Sequence, residues 1–111
     1  MADNYIEVTS QDFTEKVLQA SELVVVLFAT EQSSACKIQE PELQAISKDY
    51  SGRIIFSRLD ITGQEEVTAQ WKIEGIPTLL FFKGGHVIHR ISGIVMRDKL
   101  RRQLDGALLA D

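Results

Sequence analysis

Two rhythms of apolar residues run along this chain: unbroken or alternating runs that suit strands, and a period near 3.6 that suits helices. Tyr5-Ile6-Glu7-Val8 alternates weakly and predicts a short edge strand. Thr9-Ser10-Gln11-Asp12 has the composition of a capped helix start, and Phe13, Val17 and Leu18 form one face of a helix expected to run to about Ala20. Leu23-Val24-Val25-Val26-Leu27-Phe28-Ala29 is an uninterrupted β-branched and aliphatic run. That is the pattern of a strand covered on both faces, and it predicts the centre of a sheet. Between Ser33 and Tyr50 the pattern is helical, with Ile38, Leu43, Ala45 and Ile46 set among charges. Pro41 inside this segment is expected to kink it.

The second half has a different spacing. Arg53 to Leu59 reads as a strand, and Thr62-Gly63-Gln64-Glu65 opens a short helix expected to end near Trp71. Thr78 to Lys83, a Gly84-Gly85 turn and His86 to Ile91 together form a hairpin signal. A last helix is expected from about Met96 to Leu109, where Leu100, Leu104 and Leu108 recur at i, i+4 and i+8. The order β-α-β-α-β-α-β-β-α predicts an α/β fold with a mixed central β-sheet and helices on both faces. Early strands join by crossovers and the last two pair antiparallel.

Composition narrows the function classes. The chain has 111 residues, 44% apolar and 25% charged, with no repeat or low-complexity tract, so a single domain over residues 1–111 is expected. Twelve basic against sixteen acidic side chains give a charge of −4, which argues against a nucleic-acid partner. The longest apolar run, Leu23 to Ala29, is far short of the roughly 20 residues of a spanning helix, so no membrane contact is expected. The opening Met1-Ala2-Asp3-Asn4-Tyr5 is polar and acidic, without the basic segment of a secretion signal. With a single cysteine it points to a cytoplasmic protein. His86 and His89, three apart on one expected strand, face opposite sides and cannot share a metal; no cofactor is expected. Glu65-Glu66 and the basic residues between 97 and 102 read as solvated helix faces.

The chemistry on offer is concentrated in Ser33-Ser34-Ala35-Cys36-Lys37, a helix start that holds the only cysteine. With one thiol, no disulfide can form within the molecule, and a dithiol/disulfide cycle needs a second molecule. Two readings of Cys36 stay open. In a first helical turn beside Lys37 it is placed for a lowered pKa and for mixed disulfides, whereas shielded among apolar neighbours it is an inert, small hydrophobe. Ser33 has no base or metal beside it in the sequence, so its hydroxyl reads as a helix cap rather than a nucleophile. Trp71, Ile73 and Ile76 either flank a binding surface or belong to the core.

Phe28 to Pro41, the run Gly75-Ile76-Pro77-Thr78-Leu79-Leu80-Phe81-Phe82-Lys83-Gly84-Gly85, the interval from Ser33 to Pro77, and Gly93 after the last strand carry a family likeness. Over nearly its whole length the chain resembles the thioredoxin family. The resemblance implies the thioredoxin fold, a cis bond before Pro77, and a groove of Gln32, Ser34, Ala35, Gly75, Ile76, Pro77 and Gly93 that takes extended polypeptide by backbone pairing. It also shows what is missing. Where the family has Cys-Gly-Pro-Cys this chain has Ser33-Ser34-Ala35-Cys36, so Ser33 stands at the attacking cysteine and Cys36 at the resolving one. Two family tryptophans are Gln32 and Ala29, and the family's buried proton-transferring aspartate is Leu27. Arg58 stands at a basic position without the expected acidic partner.

The resemblance therefore implies a thioredoxin-like protein of thiol-redox homeostasis with a degenerate monothiol site. It would act at most by mixed disulfides through Cys36 with an external reductant. The expected partners are polypeptide clients or a partner protein at the cis-proline groove, and a low-molecular-weight thiol. The alternative is a non-catalytic, chaperone-like module that binds clients at Pro77. Conventional protein-disulfide reductase activity is not expected.

Overall fold

Strands β1 (Tyr5–Glu7), β2 (Leu23–Ala29), β3 (Ile54–Asp60), β4 (Thr78–Lys83) and β5 (His86–Ser92) form one sheet in the order β1-β3-β2-β4-β5. The computed structural model describes residues 3–110; Met1, Ala2 and Asp111 of the expected 1–111 unit lie outside the described residues. The uninterrupted apolar run is β2, buried at every position, parallel to β3 and antiparallel to β4. Strand alternation sends Val25, Leu27 and Ala29 to one face and Val24, Val26 and Phe28 to the other. Leu43 and Ile46 of α1 (Ser34–Ser47) and Leu100, Leu104 and Ala107 of α3 (Arg97–Leu109) cover the first face. Val67 of α2 (Glu65–Gln70), with Phe13 and Val17, covers the second. Among the described residues no helix is long and apolar enough to cross a membrane.

Local chemistry sets the element ends. Gly84 and Gly85 both have positive φ, +58° and +81°, as the tight turn between β4 and β5 requires. Pro41 lies inside α1, which continues through it. Its missing N–H leaves the carbonyl of Lys37 without a helical donor, and Lys37 lies on the exposed side. The helix gives way to a tighter turn at Lys48–Tyr50, short of the full α-helical span to Tyr50 that the pattern predicts. The first helix is also shorter than expected. It is a π-helical turn, Thr14–Leu18, in which the Gln19 amide donates to the Thr14 carbonyl five residues back. Asp12 is engaged at its start, accepting from the Thr9 amide at 2.6 Å, while Phe13 and Val17 bury as their pattern predicts.

Polar side chains are buried with this core too, among them Gln39 and Ser47 of α1. Gln39 is fully buried; its Nε2 donates to the Val95 carbonyl at 3.1 Å and its Oε1 accepts from the Val95 amide at 2.7 Å. The pair ties α1 to the segment between β5 and α3. Truncation strands two buried backbone groups, so Gln39→Ala is expected to lower stability by about 1–3 kcal/mol. Urea unfolding measures this, and an unchanged midpoint would show that the tie contributes nothing.

Candidate functional site

The carboxyl end of β2 delivers the chain into α1 through a short turn in which the Ser33 amide donates to the Thr30 carbonyl at 3.3 Å. Ser33 is extended, and its Oγ accepts from the Cys36 amide at 3.2 Å, the bond of a helix N-cap. Among the described residues no basic side chain is bonded to that hydroxyl, so nothing there activates it. Cys36 is 3% exposed and packs with Leu27, Ala29 and Val95 in the core under α1. The thiol has the shielded setting that was one of its two sequence readings.

A second cluster lies one helical turn further on. Arg58 of β3 is paired in register with Leu27 of β2, and its Nε stands 3.1 Å from Oε1 and 3.0 Å from Oε2 of Glu40 on α1. Tyr5 of β1 donates its hydroxyl to the same carboxylate at 2.9 Å, and Asp60 approaches Arg58 at 3.8 Å. Arg58 lacks the expected aspartate, since Leu27 stands beside it, but it is not left without an acidic partner. The carboxylate comes from the helix above the sheet instead of the strand beside Arg58. Burial works against the Arg58 charge, but Glu40 outweighs it and holds the guanidinium protonated. Sequence reasoning read Glu40 only as a charge between apolar positions. The signal for it was its i+4 spacing from Cys36, which puts both on one helix face. Cys36, Glu40, Arg58, Tyr5, Thr30 and Gln32 share an opening of about 610 Å³.

The loop before β4 builds the other half of the site. The Ile76–Pro77 bond is cis, the Thr78 hydroxyl donates to the Gly75 carbonyl at 2.6 Å, and the Gly93 amide donates to the Pro77 carbonyl at 2.9 Å. Gly93 has φ +85°, where a side chain is strained. Ile76 packs on the core that holds Cys36 and Val95, which brings this loop toward α1. Ser34 is exposed and Ala35 half-buried in the first stretch of α1. Gln32 lines the opening beside Cys36, whereas Gly75 lines a separate hollow, so these two expected groove residues fall in different depressions. Ile38, Ile94 and Met96 are 51%, 41% and 54% exposed, and sequence reasoning did not single out the last two. Ile94 and Met96 flank Val95, and Ile38 precedes Gln39, so the Gln39–Val95 tie sets the two segments that carry them side by side.

The trio of Trp71, Ile73 and Ile76 is divided by the sheet. Trp71 and Ile73 pack on the α2 face, with the indole edge-on to Phe82 at 5.0 Å, while Ile76 packs on the α1 face. Trp71 is thereby a half-buried residue packed against the core. His89 packs edge-on to Phe81, His86 is exposed, and among the described residues no three potential ligands gather for a metal.

Burial, with the adjacent Glu40 carboxylate, pushes the Tyr5 phenol well above its ordinary value of 10.0. Burial and a 2.6 Å hydrogen bond to Asp105 raise Tyr50 as well. A raised folded-state pKa stabilises the fold below the unfolded value, and that stabilisation is lost as pH climbs past it. The expected outcome is that phenolate absorbance from these tyrosines appears together with alkaline unfolding, and that Tyr5→Phe moves the unfolding to higher pH. Both phenols ionising near pH 10.0 in a folded protein would contradict this.

The thioredoxin family model matches residues 4–106. The chain is 36% identical over 100 residues to the thioredoxin of Buchnera aphidicola subsp. Acyrthosiphon pisum, a match covering 90% of this chain and 93% of that one. It is 30% identical over 105 residues to the thioredoxin of Pseudomonas aeruginosa, covering 95% and 97%. Thioredoxin 2 of Chlorobaculum tepidum is 28% identical over 105 residues, covering 95% and 96%. With the mixed five-stranded sheet and helices on both of its faces, these matches lead to one conclusion: the chain belongs to the thioredoxin family of redox proteins.

Proposed function

We propose that this protein is a polypeptide-binding member of its family, recognising extended segments along Gly75, Ile76, Pro77 and Gly93 rather than reducing disulfides. The observation that carries this reading is a contrast in exposure. Cys36 is 3% exposed, while Ile38, Ile94 and Met96 stand open around the Gln39–Val95 tie. Exposed apolar side chains on adjoining segments suit an interaction surface, and an extended chain fits one because alternate residues can sit on it while its backbone pairs. Met96 also occupies the N-cap of α3 without a capping bond, a position where Ser, Thr, Asp or Asn adds about 1 kcal/mol. A local rule broken at an exposed apolar residue fits a binding role.

A second reading is favoured by the opening that Cys36 shares with Glu40 and Arg58. A Cys36 thiolate, its proton released to solvent, attacks one sulfur of a low-molecular-weight or protein disulfide, and the other sulfur leaves as thiolate. An outside thiol then attacks the mixed disulfide and restores Cys36. In either reading the chain has no second thiol with which to complete the turnover itself.

The expected outcome of an insulin reduction assay with dithiothreitol or thioredoxin reductase is no turnover above background. Ser33→Cys is expected to restore only part of the activity, because Leu27 accepts no proton and Ala35 replaces the ring of the family's proline; full restoration contradicts this. Capture of a reduced, alkylated, unfolded polypeptide is expected to persist in Cys36→Ala and to fall about tenfold in Ile94→Asp. The reverse pattern supports the thiol reading.

A further inference from the structure

Lys72 has φ +56°, and among the described residues it is the one non-glycine residue in the left-handed region. It stands just past the end of α2, where glycine is favoured because a side chain there costs backbone energy. The conformation is held from β5. Arg90 donates Nη2 to the Trp71 carbonyl at 2.6 Å and Nη1 to the Lys72 carbonyl at 3.2 Å, closing the carbonyl end of the helix. Lys72 and Arg90 then line one hollow of about 340 Å³ with Glu74, Gly75, Thr78 and Ser92. Gly75 and Thr78 bracket Ile76-Pro77, and Ser92 precedes Gly93, so this hollow adjoins the groove residues, on the α2 side of the sheet where Arg90 pairs with Leu80. Two cations face a single carboxylate there, and neither cation is ion-paired among the described residues.

We propose that Lys72 and Arg90 form an acid-selecting wall that takes a Glu or Asp side chain of the extended polypeptide bound in the groove. The proposal rests on the groove reading above. Lys72 supplies the charge, and Arg90 both adds a charge and positions Lys72 by holding its carbonyl. The strained backbone at residue 72 is kept because glycine, which would relieve it, has no ammonium to offer.

The test uses the full chain and three capped, fluorescein-labelled decapeptides in which apolar residues alternate with Glu, Gln or Lys, read by anisotropy. The protein's charge of −4 favours the Lys peptide in bulk, so a preference for Glu reports the local wall. The Glu peptide is expected to bind at least about tenfold tighter than the Lys peptide, with the ratio shrinking as salt rises. Lys72→Gly and Arg90→Gln are each expected to reduce that ratio to about twofold or less. Lys72→Gly is expected also to raise the thermal midpoint, so its loss of selectivity cannot come from unfolding. Equal affinities of the wild-type protein for all three peptides overturn the proposal and leave the groove reading standing. Selectivity that survives both substitutions also overturns it, while failure of every peptide to bind overturns the groove reading and the proposal with it.

Discussion

Each residue of β2 from Leu23 to Ala29 is buried, so both faces of the sheet must be covered and both edges of this strand paired. That constraint organises the molecule. Seven apolar side chains that cannot face water demand α1 and α3 on one side, and α2 with the π-helical turn on the other. They also fix where the chain emerges. The turn after Ala29 leads directly into α1, which is why Ser33 caps that helix and Cys36 points down onto Leu27 and Ala29.

The same strand explains the arrangement of charge. Leu27 completes the apolar run, so β2 beside Arg58 offers no anion, and Glu40 reaches down from α1 to supply the nearest carboxylate. A half-buried ion pair is weak evidence for stability in itself, since desolvation opposes the Coulombic gain. Its local consequence is clearer. Arg58 and the Tyr5 hydroxyl share one carboxylate, and that linkage joins β1, β3 and α1 around the opening that Cys36 lines.

Features with a local cause were legible in the sequence. The β2 run, the Gly84-Gly85 hairpin, the stripe of Leu100 and Leu104 and the Ser33 cap all follow from periodicity or turn chemistry within a few residues. The Pro77 loop and Gly93 were legible through the family likeness, and they meet at the bond from the Gly93 amide to the Pro77 carbonyl. What escaped depends on pairs distant in the chain. Gln39 and Val95 are 56 residues apart, Arg58 and Glu40 are 18 apart, and Arg90 reaches Lys72 and Trp71 across 18 and 19. No spacing rule reveals that a glutamine in a helix will be buried against one backbone unit, or that a lysine will be held at positive φ by an arginine from a neighbouring strand. Trp71 and Ile76 were grouped because they are close in sequence, but the chain crosses from one face of the sheet to the other between them.

Cys36 is a shielded thiol, 3% exposed, beneath a surface proposed to bind without it. The pH dependence of Cys36 alkylation in the native protein, followed by mass spectrometry, tests this most directly. Labelling that stays slow at every pH where the fold persists, and accelerates only on unfolding in denaturant, is the predicted result. Rapid labelling of the folded protein, with an inflection near or below neutral pH, would contradict the claim and make Cys36 an exposed thiolate poised for exchange.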